Sequence, residues 1–125
     1  MTNPKARVPS EADEQKALFE WRDWAKGKLP ELALMFHPAN GGKRRAFEAM
    51  NLKREGVTPG VPDIVLPVPR RGYGGLYIEL KRKKGGQVSE AQREYLAMLN
   101  RYGNKAVVCK GWEQARDVIL DYLVP

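Results

Sequence analysis

The chain has one cysteine, Cys109, and one histidine, His37, in 125 residues. A single thiol closes no intramolecular disulfide and builds no cysteine-based zinc cluster. The neighbours Ala106, Val107 and Val108 predict that Cys109 is buried, in a reducing compartment. A lone histidine near a strand end reads as structural, so His37 is not assigned as a general base. Long apolar runs are also missing. No segment approaches the roughly 18 residues needed to span a bilayer, and Met1–Pro9 has no apolar stretch of signal-peptide length. The expectation is a cytoplasmic protein without a membrane partner. There is no internal repeat, no low-complexity tract, and no recognition-helix or zinc-finger signature with which to read bases.

Positive charge is plentiful. Lys and Arg outnumber Asp and Glu by 22 to 15, and the excess is clustered at Lys43, Arg44 and Arg45, at Lys53 and Arg54, at Arg70 and Arg71, and at Lys81 to Lys84. Such clusters suit a polyanion, nucleic acid above all. Alone they are equally what a solvated surface looks like. With 42% hydrophobic and 30% charged residues the chain reads as globular, and its length fits one domain.

Residues 1–9 carry two prolines and no period, and read as a flexible tail; the domain is expected over 10–125. Ser10 followed by Asp13 resembles a capping box and opens a helix to about Lys26, with Glu14, Leu18, Trp21 and Ala25 as its inward stripe. Leu32 to Phe36, closed by Pro38 and Asn40-Gly41-Gly42, predicts a strand. A basic helix is expected from about Arg44 to Arg54, with Gly56 ending it and Ala46, Met50 and Lys53 on one side. Strands follow at Asp63 to Leu66 and Leu76 to Lys81. Ser89 and Gln92 form a second capping box for a helix to about Arg101, with Tyr95, Leu99 and Tyr102 facing inward. Lys105 to Cys109 predicts a fourth strand, and Trp112 to Leu123 a last helix with Trp112, Ala115, Ile119 and Tyr122 inward. The order αβαββαβα implies an α/β fold with a central mixed four-stranded sheet flanked by helices.

Alternation along Leu76 to Lys81 turns Tyr77, Glu79 and Lys81 to one face and Leu76, Ile78 and Leu80 to the other. A Glu–Lys pair on a solvated face would be an ordinary ion pair, contributing roughly 0 to 1 kcal/mol. Asp63 changes that. It follows the Gly60-Val61-Pro62 loop and can converge on Glu79, and two carboxylates together repel unless a divalent cation sits between them. Few oxygen ligands completed by water are what magnesium takes. A bound metal both acidifies a water and stabilises charge on a phosphoryl oxygen, and Lys81 adds a cation that orients or acidifies that water, or holds the phosphate.

Val61-Pro62-Asp63 and Glu79-Leu80-Lys81 resemble the Pro-Asp and Glu-x-Lys motifs of the PD-(D/E)xK nuclease superfamily. With Glu14-Gln15, His37-Pro38-Ala39-Asn40-Gly41-Gly42, Gly60-Val61-Pro62-Asp63-Ile64, Tyr77-Ile78-Glu79-Leu80-Lys81 and Ser89 to Tyr95, the chain resembles the virus-type replication-repair nuclease (VRR-NUC) domain over about residues 10–123, especially its small stand-alone phage and bacterial form. The resemblance implies a restriction-endonuclease-like core and an endonuclease that uses Mg²⁺, with Mn²⁺ as substitute. Asp63, Glu79 and the backbone carbonyl of Leu80 would surround the metal, Lys81 would stand beside the nucleophile, and Glu14 would act on the metal through water. The other reading of Glu14 is a first-turn acid complementing its own helix dipole. Gln92 carries two readings as well, a residue reaching toward Lys81 or the phosphate and a plain capping-box partner of Ser89. His37 and Asn40 would shape the rim facing DNA.

Lys43, Arg44, Arg45, Lys53, Arg54, Arg82, Lys83 and Lys84 are the candidates for phosphate contacts, which position DNA without specifying sequence. The resemblance further implies a homodimer that cuts branched DNA such as four-way (Holliday) junctions, in repair or replication. The competing expectation is a DNA-binding module that keeps the fold without catalysis.

Overall fold

A computed structural model describes residues 7–39 and 46–125. The first helix, α1 (Glu11–Ala25), starts where expected. The Ser10 side chain accepts from the Asp13 N–H, and the Asp13 carboxylate accepts from the Ser10 N–H, so two of the helix's orphan donors are satisfied reciprocally. Glu14, Leu18 and Ala25 are buried, and Trp21 packs partly buried against the core.

The expected strand at 32–36 does not form. Pro30–Leu34 is a 3-10 turn, and only Phe36 reaches the sheet, exchanging both backbone hydrogen bonds with Val65 at 2.9 Å as an isolated antiparallel bridge. Pro30 seeds the turn with its fixed φ, and Pro38 has no N–H with which to extend a ladder beyond Phe36. Among the described residues the sheet therefore has three strands, not four.

The basic helix α2 is Ala46–Arg54. Its predicted start at Arg44 lies outside the described residues. Gly56, at φ 104°, donates its N–H to the Lys53 carbonyl, ending the helix as glycine commonly does. Met50 is exposed.

Strand β1 (Ile64–Leu66) runs antiparallel to β2 (Leu76–Lys81), with Ile64 opposite Ile78, and β2 runs parallel to β3 (Lys105–Lys110). A parallel pair needs a crossover, and α3 (Glu90–Arg101) supplies it. Helix α4 (Trp112–Leu123) follows β3 directly and packs with α1 over one sheet face. The core there joins Leu76, Ile78 and Leu80 to Leu18, Ala115 and Ile119. That leaves Tyr77 and Glu79 on the other face, toward α3. The mixed sheet flanked by helices stands as expected.

The inward face of α3 differs in detail. Leu96 is the buried residue of α3, whereas Tyr102 is 71% exposed, because the helix ends at Arg101 and Tyr102 already leads into the Gly103 turn. Cys109 is buried, and burial pushes its thiol up to about 11. Among the described residues, no helix is long and apolar enough to cross a membrane.

Candidate active site

Asp63 lies one residue before β1. Continuing the Ile64–Ile78 register by one step sets Asp63 across from Glu79. Its Oδ2 accepts the Leu80 N–H at 2.9 Å, a hydrogen bond that β1 is too short to make with its own backbone. The pleat turns the Leu80 carbonyl to the same edge as its N–H. One edge of β2 thus gathers the Asp63 carboxylate, the Glu79 carboxylate and the Leu80 carbonyl.

A glycine fixes the loop that delivers Asp63. Gly60 has φ 87°, and a Cβ there would meet the Ala91 carbonyl oxygen at 2.4 Å. Only glycine allows this backbone to lie on the first turn of α3, which brings Gln92 to the site.

Glu79 is 1% exposed. Its Oε2 accepts from Gln92 Nε2 at 3.0 Å and lies 3.3 Å from Lys81 Nζ, while Oε1 is buried without a hydrogen-bond partner. Burial first, and then the neighbouring Asp63 carboxylate, push Glu79 up to about 8, against the opposing pull of Lys81. A carboxylate held with one oxygen unmatched is costly unless a cation or a proton answers it.

The capping-box reading of Gln92 holds, and the same side chain also reaches into the site. Its Oε1 accepts the Ser89 N–H at 2.9 Å, completing the capping box, and its Nε2 holds Glu79. The amide reaches the carboxylate rather than Lys81.

Lys81 is 5% exposed, and a Cβ at Gly86 would come within 3.2 Å of Lys81 Cβ, so the loop after β2 folds closely over its stem. Glu11 Oε2 lies 4.0 Å from Lys81 Nζ. Glu11 escaped the sequence reading, although its place one turn before Glu14 on α1 was the available signal.

Glu14 is 2% exposed. Its Oε1 accepts the N–H of Trp112 at 3.0 Å, the first residue of α4, whose N-cap Gly111 has no side chain to offer. The carboxylate thus caps a neighbouring helix, while it also stands in the acidic first turn of α1. Its Oε2 is buried and unpartnered. Gly111 in turn donates to the Lys81 carbonyl at 2.8 Å, tying Glu14, α4 and the end of β2 together.

His37 Nδ1 lies 2.7 Å from the Asp63 carbonyl oxygen. Carbonyls only accept, so Nδ1 carries the proton.

Of the basic candidates, Lys53, Arg54, Arg82, Lys83 and Lys84 are exposed. Arg82 donates to the Gly85 carbonyl, and Lys83 pairs with Glu113 at 3.2 Å. Lys43, Arg44 and Arg45, with Asn40, lie outside the described residues. Arg71, at φ 53°, donates to the carbonyls of Asp121 and Val124 and caps the end of α4.

Among the described residues, no group of three or more Asp, Glu, His and Cys side chains is arranged to hold a metal ion. Two carboxylates and a backbone carbonyl, completed by water, are nonetheless a donor set of the kind magnesium takes. The orphaned Glu79 Oε1 is the atom such a cation would satisfy.

Comparison with known proteins gives a family. The model of the VRR-NUC domain matches residues 4–113. A solved structure described as a VRR_NUC domain protein is similar at 30% sequence identity and a TM-score of 0.79, over 94% of this chain and 90% of that one. No curated protein matches the chain.

Proposed function

Because the chain belongs to the VRR-NUC domain family and so has a nuclease-type fold, we propose that it is a magnesium-dependent, structure-selective DNA endonuclease. Mn²⁺ would substitute for Mg²⁺. The observation that carries the reading is Glu79, a buried carboxylate with one unmatched oxygen, set across from Asp63 and 3.3 Å from the Lys81 ammonium.

Asp63, Glu79 and the Leu80 carbonyl would hold the cation, with Glu14 Oε2 acting on it through water. Such a cation, when bound, acidifies a water and neutralises charge growing on the phosphoryl oxygens. The protein's own groups do the rest. Gln92 Nε2 and Lys81 Nζ both engage Glu79 Oε2, which leaves Oε1 free to turn to the edge shared with Asp63. Lys81, lodged between Glu79 and Glu11, keeps a positive charge where the attacking oxygen and the scissile phosphate must meet. Exposed Lys53, Arg54 and Lys84 would contact phosphates along the approach, as would Arg82.

The sequence carries no recognition-helix or zinc-finger signature, which favours recognition of DNA shape, and branched DNA cut by a homodimer is the form proposed. A twofold axis would give two strands one centre each. The deciding experiment incubates the protein with single-stranded, duplex, flap and four-way-junction DNA, with magnesium or with chelator. Cleavage that favours the junction and vanishes in chelator is expected. Asp63→Asn or Lys81→Ala should lower the rate by at least about 10²-fold while DNA binding persists. A wild-type protein that binds DNA yet cuts none of these substrates with Mg²⁺ or Mn²⁺ would instead be a non-catalytic binding module.

A further inference from the structure

We propose that His37 is a positioning residue for Asp63, replacing a backbone donor that Pro38 lacks. Phe36 and Val65 exchange both backbone hydrogen bonds, which makes them a doubly bonded pair of an antiparallel ladder. In such a ladder the next doubly bonded pair lies two residues on along each strand, in opposite directions. Here that pair is Pro38 and Asp63. Proline has no N–H, so the Asp63 carbonyl has no ladder donor to receive. The imidazole of His37 fills the gap, donating from Nδ1 at 2.7 Å.

The geometry gives this bond a consequence for the site. The Asp63 side chain is held on one side by the Leu80 N–H, and its backbone is held on the other by His37. Asp63 precedes the first regular residue of β1, so without His37 its peptide would hang between the Gly60 contact and Ile64. The inference rests on the reading of Asp63 as a metal ligand, for which His37 would be an outer partner. Loss of an outer partner commonly lowers metal affinity by about 10 to 100-fold, and an exposed partner such as His37 belongs at the low end.

Three variants separate this role from others. His37→Ala removes the donor. His37→Asn keeps an N–H where Nδ1 stood, and His37→Gln places one where Nε2 stood. Two quantities are read: the NMR shift of the Ile64 amide in metal-free protein, because that amide shares a peptide plane with the Asp63 carbonyl, and Mn²⁺ affinity by titration. In His37→Ala the Ile64 amide should move and Mn²⁺ affinity fall about tenfold. Asn should restore both, and Gln neither. An Ile64 amide unmoved in His37→Ala, or rescue by Gln and not by Asn, overturns the proposal. If the wild-type protein takes up no Mn²⁺, Asp63 fails as a ligand, while the Ile64 shift still decides whether His37 holds it.

Discussion

Glu79 concentrates the tension of the site in one side chain. Its carboxyl, pushed up to about 8 by burial and by Asp63, keeps a proton at neutral pH when no cation is bound. A folded-state value above the ordinary 4.5 favours the folded protein below that ordinary value, and the contribution is lost as pH rises through about 8. Glu79→Gln cannot titrate. In chelator, the melting temperature of the Gln variant should therefore rise relative to wild type from about pH 5 to about pH 9. Added Mg²⁺ should recover stability in wild type alone at the upper end. A gap that stays constant with pH would mean that Glu79 is not strained in the folded protein. The residue types of this site were readable from the sequence, since alternation along 76–81 puts Glu79 and Lys81 on one face. The unmatched Oε1 was not, because it depends on where Gln92 and Asp63 arrive from distant segments.

At the scale of elements, two short contacts join helices to the site. The Gly60 backbone lies against the first turn of α3, so Gly60→Ala meets both a positive φ and a carbonyl oxygen at 2.4 Å. It should cost about 1–3 kcal/mol in urea unfolding and weaken cation binding, because the loop that it displaces carries Asp63. A variant as stable as wild type would show that the loop can lift from α3 without loss. Glu14 caps α4 from across the fold. Glu14→Ala should cost about 0.5–2 kcal/mol, the usual effect of removing a cap, whereas the amide oxygen of Glu14→Gln can still accept the Trp112 N–H. If Gln preserves the melting temperature while cation binding falls, the carboxylate charge serves the site as well as the helix. Equal melting temperatures for all three proteins would remove the capping role.

Across the whole molecule, the proposed approach of DNA rests on charge. The net charge of +7 predicts binding that weakens steeply with salt. Lys53→Ala with Arg54→Ala should reduce the slope of log affinity against log salt by about 2, if each meets one phosphate. Lys83→Ala should change it less, because Glu113 already holds that ammonium at 3.2 Å. A larger effect from Lys83 than from the α2 pair would overturn that ranking.

Local order was written in the sequence because each signal acts within a turn or two. The two capping boxes, the alternation of β2 and the apolar stripe of α4 need only neighbours along the chain, and all formed where expected. The strand at 32–36 failed for a reason equally local, Pro30 and Pro38, whose effect on a ladder outweighed the apolar run between them. Tertiary structure decided the rest. It set Asp63 against Glu79 through the antiparallel register, gave Gln92 a partner in Glu79, sent Glu14 to the start of α4, and brought His37 to the Asp63 carbonyl. Each of these is a contact between residues far apart in the chain, and local periodicity carries no information about which distant groups will meet.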